Sequence, residues 1–116
     1  MVTFPEVEEG QGPILMLNLL KFKNRDLYFQ EYLPAFNQVV KQLGVEGTKL
    51  SLASDVLGNI IAEEGEVWDA ILLVEYPSAE AFKTIALSSE YHEIAEPLRL
   101  AALADLKLFM TRKFDL

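Results

Sequence analysis

Asn18 interrupts an otherwise apolar run, Ile14-Leu15-Met16-Leu17-Asn18-Leu19-Leu20. A side-chain amide in that company must be hydrogen-bonded or it destabilises the fold. It either orients a ligand in a cavity or bonds to a neighbouring helix or loop. Arg99 lies among Leu98, Leu100, Ala101 and Ala102. A guanidinium among apolar neighbours takes a carboxylate partner or an anionic ligand. Glu75 and Asp69 are the candidate partners, and a pairing with either would pin the last helix to the sheet.

His92 is the sole histidine and stands four residues before Glu96, with Glu90 and Glu93 close by. That spacing offers two metal ligands on one helix face, but no second His and no Cys completes a set. No metal site is expected, and an exposed acidic helix face explains the cluster. The imidazole does have the intrinsic pKa of a general base. Asp69 and Glu75 share strand parity with Ile71 and Leu73, yet six residues along a strand is ~20 Å. They are too far apart to act on one bond. Trp68, Tyr28, Tyr32, Phe36, Tyr76 and Phe82 fall at helix and strand periodicity, which favours core packing. Tyr32 and Trp68 stand out as ligand-binding candidates, because a buried OH or NH needs a partner. The scattered glycines fit neither a P-loop nor a dinucleotide fingerprint.

These residues need elements to hold them. Pro13 opens a continuous apolar run to Phe22, which reads as a strand covered on both faces. Asp26 is a candidate N-cap for a helix in which Tyr28, Phe29, Tyr32, Leu33, Phe36, Val39, Val40 and Leu43 recur at helical spacing. Gly44 sits at the C′ position of that helix. Pro34 within it predicts a kink near Glu31 to Leu33 or two abutting helices. A weak alternation from Thr48 to Ile61 predicts a second strand, and Val67 to Tyr76 a third, joined by a hairpin-length loop with a glycine. Ser78 caps a helix through Leu87. Another helical stretch starts near Ser89, breaks at Pro97 and resumes briefly before a last strand over Leu106 to Phe114. The order β-α-β-β-α-β predicts an α+β, ferredoxin-like sandwich: a four-stranded antiparallel sheet with helices on one face. Strands apolar on both faces then need a cover on the open side, and a second copy of the sheet is the simplest.

The whole chain, residues 1–116, reads as a single domain with an acidic N-terminal arm over 1–12. Hydrophobic residues are 51% of it and the net charge is −8. That charge disfavours nucleic acid and anionic membrane surfaces, both of which demand clustered Lys and Arg. It does not exclude a small anion beside a buried Arg. The sequence has no cysteine, which removes disulfides, thiolate nucleophiles and Cys-ligated zinc. Neither a signal peptide nor an apolar run of ~20 residues is present, so a cytoplasmic location is expected.

Met16-Leu17-Asn18-Leu19-Leu20-Lys21-Phe22-Lys23, then Trp68-Asp69, then Val74-Glu75-Tyr76-Pro77-Ser78-Ala79-Glu80-Ala81-Phe82, then Ser89-Glu90-Tyr91 followed by Arg99, together resemble the family called domain of unknown function 1330. That family belongs to the dimeric α/β-barrel group, and the likeness runs from about Pro13 to Leu108. It implies a ferredoxin-like fold, a homodimer through the sheet faces and a cavity between sheet and helices in each subunit. It also implies that Tyr91 is buried, and it adds weight to Arg99. Lysines follow the first strand where the family commonly has an arginine, so no anion-binding role passes to Lys21 or Lys23. The group includes cofactor-free monooxygenases, small isomerases and decarboxylases, haem-handling proteins and stress-response proteins. Three readings follow. One is an enzyme without metal or organic cofactor, with Asn18, Tyr32, Trp68, Tyr91 and Arg99 binding the ligand and His92 and Arg99 catalytic. The second is a non-catalytic metabolite-binding or stress-response dimer. The third is purely structural, with the cavity filled by side chains.

Overall fold

The computed structural model describes residues 2–6 and 12–116. Residue 1 and residues 7–11 of the expected N-terminal arm lie outside the described residues. Strand β1 spans Ile14–Phe22, the bounds set by its apolar run. A helical run follows as α1 (Arg25–Leu27), a π-helical turn over Tyr28–Tyr32, and α2 (Leu33–Gln42). The N-cap is Asn24 rather than Asp26, its Oδ1 accepting from Leu27 N–H at 3.0 Å. Strand β2 is Lys49–Asp55 and β3 is Ala70–Tyr76. After β3 comes α3 (Ala79–Ala86), capped by Ser78 Oγ accepting from Ala81 N–H at 3.0 Å. A second helical run holds a π-helical turn over Tyr91–Ala95 and α4 (Glu96–Ala102), and leads directly into β4 (Leu103–Thr111).

The sheet order is β2-β3-β1-β4 with every neighbouring pair antiparallel. It is the four-stranded sheet expected from the β-α-β-β-α-β order. The helices cover the face that carries Ile14, Met16 and Leu20 of β1 and Ala70, Leu72 and Tyr76 of β3. Leu15, Leu17 and Leu19 point to the opposite face, which no helix among the described residues covers. Strand β2 is exposed along its whole length, as an edge strand with weak alternation would be.

Both prolines that threatened the helices are absorbed in one way. Proline cannot donate to the carbonyl four residues back. Ahead of Pro34, Leu33 N–H reaches five residues back to Tyr28 O, and ahead of Pro97, Glu96 N–H reaches Tyr91 O. Each helix thus widens into a π turn just before its proline and continues. The break expected at Pro97 is therefore a continuous helix, and the kink expected near Pro34 is a π turn. The α2 terminus follows the sequence more closely. Gly44 has φ of 68°, and the bonds Val45 N–H to Val40 O and Gly44 N–H to Lys41 O form a Schellman closure.

Candidate functional site

The first π turn has a tyrosine at each end, Tyr28 and Tyr32, the second begins with Tyr91, and a bond between Tyr32 and Tyr91 joins the two under the sheet. All four tyrosines of the chain, Tyr28, Tyr32, Tyr76 and Tyr91, are buried there. Tyr28 and Tyr32 stack with ring centroids 5.0 Å apart. The Tyr32 and Tyr91 hydroxyls are 2.8 Å apart, joining the two helical runs. Burial pushes all four phenols above their ordinary pKa, and at Tyr28, Tyr32 and Tyr76 the neighbouring Tyr91 adds to the rise. At Tyr91 the bond from Tyr32 and the nearby Arg99 charge oppose that rise. Either hydroxyl of the pair can be the donor, so the bond joins the two helical runs in either direction.

Arg99 sits above this core. Its guanidinium carbon lies 6.0 Å from the Tyr91 ring centroid, and its Nη2 lies 3.7 Å from Glu96 Oε2. Its side chain is only 26% exposed. Neither partner expected from the sequence holds it. Glu75 faces Lys49 at 3.6 Å, and Asp69 Oδ2 accepts from Phe22 N–H at 2.8 Å. Asp69 therefore stitches the end of β1, and Glu75 belongs to the β2–β3 ladder.

Arg99 lines a cleft of about 850 Å³ that runs beside β4. Leu103, Leu106 and Met110 form part of its floor, and Met16 and Phe82 close it from the neighbouring elements. The segment Val2 to Pro5 forms another wall, where the Phe4 ring lies 6.1 Å from Phe82. Edge contacts at 5.1 Å for Phe82–Tyr76 and 6.5 Å for Tyr76–Phe36 connect the cleft to the tyrosine core.

The structure brings Tyr32, Tyr91 and Arg99 together and separates the other candidates from them. Asn18 has the helix-side parity, pairing with Leu72 and Leu108, but its Nδ2 donates to Met16 O at 3.0 Å. A local backbone bond therefore accounts for its amide. Trp68 precedes β3 and meets Lys107 Nζ at 5.6 Å from its centroid, with its indole N–H donating to Glu66 Oε2 at 3.0 Å. That bond holds the Glu66 carboxyl below its usual range. Lys107 pairs with Leu19 and so projects on the open face, away from the tyrosines. His92 is half exposed and lies outside the cleft's lining, with its Nδ1 3.2 Å from Glu96 Oε2. Glu96 links His92 to Arg99, a connection invisible in a reading that saw only its spacing to His92. Among the described residues no group of three or more His, Cys, Asp or Glu could hold a metal ion. No helix among them is long and apolar enough to cross a membrane. Sequence reasoning missed Phe4, Leu103, Leu106 and Met110 as site residues. Only their apolarity marked them, and that equally marks core.

No family model and no curated protein matches the chain. Solved structures do. A protein of unknown function from Rhodopseudomonas palustris superposes with a TM-score of 0.75 at 27% identity, over 90% of this chain and 85% of that one. A DABB family protein with a ferredoxin-like fold from Mesorhizobium loti gives 0.60 at 9% identity, over 90% of this chain and 100% of the other. A dimeric ferredoxin-like protein of unknown function from Thermobifida fusca gives 0.53 at 14%, over 90% and 94%. With its antiparallel sheet in the order 2-3-1-4 and helices on one face, the chain has the ferredoxin-like fold.

Proposed function

We propose that this chain, as one domain over residues 1–116, is a homodimer whose subunits each bind a small organic molecule in the cleft between β4 and the helices. The observation that carries this reading is the cleft itself. Its volume of about 850 Å³ lies in the range of small-molecule sites, roughly 300–1,000 Å³. Its lining is mainly apolar with a few polar groups, the composition that binds and orients organic ligands. The resemblance to domain of unknown function 1330 and its dimeric α/β-barrel group belongs to the same reading, as does the dimeric state of the Thermobifida fusca relative.

Metabolite binding without turnover fits the geometry better than cofactor-free catalysis. A proton-moving group must reach the ligand, and His92 lies outside the cleft's lining. Arg99 would steady a developing oxyanion, but the other charged lining residues among those described, Asp105 and Lys107, pair with Lys21 and Leu19 and turn their side chains to the open face. The dimer reading draws on the open sheet face. Leu52 and Phe109 there are about half exposed, and the adjoining β2–β3 loop presents Leu57, Ile60 and Ile61 at 95% exposure or more. A second sheet would remove this apolar surface from water.

Native mass spectrometry of protein purified from cells tests both parts. The expected result is a dimer with one retained organic mass per subunit, lost in a variant that fills the cleft, Leu106→Trp. A monomer at micromolar concentration would overturn the dimer. Equal retained mass in the wild type and Leu106→Trp would overturn the cleft as the site.

A further inference from the structure

We infer that the ligand of this cleft is an elongated organic acid carrying one negative charge at one end, held by Arg99, with an apolar body laid along β4. This rests on the binding reading above and specifies the class of molecule.

The first observation is the pairing of Arg99. A guanidinium has five N–H donors, and one held away from water needs anionic partners. Three-quarters of this side chain is withdrawn from solvent, yet among the described residues its one ion pair is the 3.7 Å approach to Glu96. Glu96 Oε2 also receives His92 Nδ1 at 3.2 Å, so that carboxylate is shared. The Tyr91 ring lies 6.0 Å from the guanidinium carbon and its hydroxyl takes one Arg99 donor, so Tyr91 and the shared Glu96 carboxylate engage only part of the five-donor fork. Arg99 lines the cleft, and the donors left over suit a planar carboxylate there, which accepts two parallel N–H bonds from one guanidinium.

Charge is the second observation. The chain carries a net −8, and its exposed carboxylates repel anions over most of the surface. The cleft reverses that sign locally: among the described residues its charged lining residues are Arg99, Asp105 and Lys107, and the last two pair with Lys21 and Leu19, so their side chains project to the open face and leave Arg99 as the charge on the helix side. Asp105 Oδ1 is moreover engaged by the Leu106 N–H at 2.8 Å. A single positive charge in excess selects a monoanion.

Shape is the third. The lining follows β4 from Leu103 to Met110, which is ~23 Å of extended strand. Leu103 N–H donates to Arg99 O, so the cation stands close to the α4–β4 junction. Leu108, Met110, Met16 and Phe82 continue the cleft with no charge of their own. Such a trough has room for an alkyl or aryl-alkyl chain and no counter-charge for a second carboxylate at its far end.

Calorimetry with three isosteric probes, 4-phenylbutyrate, 4-phenylbutanol and 4-phenylbutylamine, tests the class. The wild type is expected to bind the acid saturably and at least tenfold tighter than the alcohol, as a charge-assisted pair provides (~1.5–3 kcal/mol). The amine should bind more weakly still. Arg99→Gln should abolish the preference, so that the acid and the alcohol bind alike. Arg99→Lys, which keeps the charge and the fold, should retain a preference for the acid. Equal affinity for acid and alcohol in the wild type, or an acid preference that survives Arg99→Gln, would overturn the inference while leaving the binding reading in place. Failure of all three probes to bind at millimolar concentration would overturn both.

Discussion

On the helix-covered side of β1, Ile14, Met16 and Leu20 are buried, whereas Leu15, Leu17 and Leu19 of the same strand remain partly open on the other side. The covered side also gathers every tyrosine of the chain, and Arg99 stands over them. The open side carries aliphatic side chains, Phe109, and charges near its margins such as Lys49, Glu75 and Lys107. Strand alternation alone makes the two sides nearly equivalent. The difference comes from the prolines and tyrosines of the helices, which add polar atoms in a dry setting to one side only. The proposed ligand site therefore falls on the covered side, and the proposed association on the open one.

The largest effect should come from alkali, which attacks one side only. Tyr28, Tyr32, Tyr76 and Tyr91 all have folded-state pKa values raised by burial. The unfolded chain loses these protons near pH 10 and the folded chain keeps them. Stability is thus full below about pH 10 and falls above it, by up to about 1.4 kcal/mol per pH unit for each tyrosine. Titration followed at once by tyrosinate absorbance and by circular dichroism should show one coincident step. Tyrosinate that develops with a normal midpoint near pH 10, in a chain still folded, would mean that the phenols are not buried as described.

Next in size is a matched pair of truncations on β1. Leu20 is fully buried, so Leu20→Ala should cost about 2–5 kcal/mol at any protein concentration. Leu17→Ala removes the same atoms from the open side. In a monomer it should cost roughly 1 kcal/mol, because much of that side chain already meets water. Within a dimer through the sheet faces the cost should approach that of Leu20→Ala and should grow on dilution. Thermal unfolding of both variants at two protein concentrations decides between these cases. A Leu17→Ala cost that stays small and independent of concentration would break the assignment of association to the open side.

How much of this was legible in the sequence follows the same division. The bounds of β1 could be read directly, since a continuous apolar run between Pro13 and the polar turn at Asn24 leaves little choice. The Gly44 closure and the Ser78 cap were equally plain, being local backbone chemistry. The π turns were not. A proline inside helical periodicity signals a disturbance, but whether the helix stops or widens depends on the packing of the residues before it. The start of β4 at Leu103, three residues earlier than its sequence pattern suggests, reflects pairing with Phe22 at the far end of β1. The Tyr32–Tyr91 bond joins residues 59 apart, so no spacing rule could have found it. Arg99 was visible as a cation out of place, yet its expected partners Asp69 and Glu75 proved to be engaged elsewhere. Residue type showed that a partner was needed, and only the register of the strands showed which carboxylates were already taken.

The smallest effect, and the sharpest probe of the open side, concerns Trp68. Each side of the sheet has a cation over an aromatic ring, Arg99 over Tyr91 and Lys107 over Trp68. The first is withdrawn from water and the second borders it, so Lys107→Met should cost under about 1 kcal/mol. Its value lies in the reporter beside it. Trp68 is the one tryptophan of the chain, and its indole N–H is fixed by Glu66. If a second sheet covers the open side, dilution should shift Trp68 emission to the red as the dimer separates, in the wild type and in Lys107→Met alike. Tyrosine burial on the covered side should stay constant through the same dilution, since that face is completed within one subunit. A Trp68 spectrum that holds steady down to nanomolar concentration, for protein that remains folded, would mean either that the dimer is tighter than that range or that this corner of the sheet faces water in it. A size measurement at the same dilution separates the two, and a monomer with an unmoved spectrum would remove the open face from the interface.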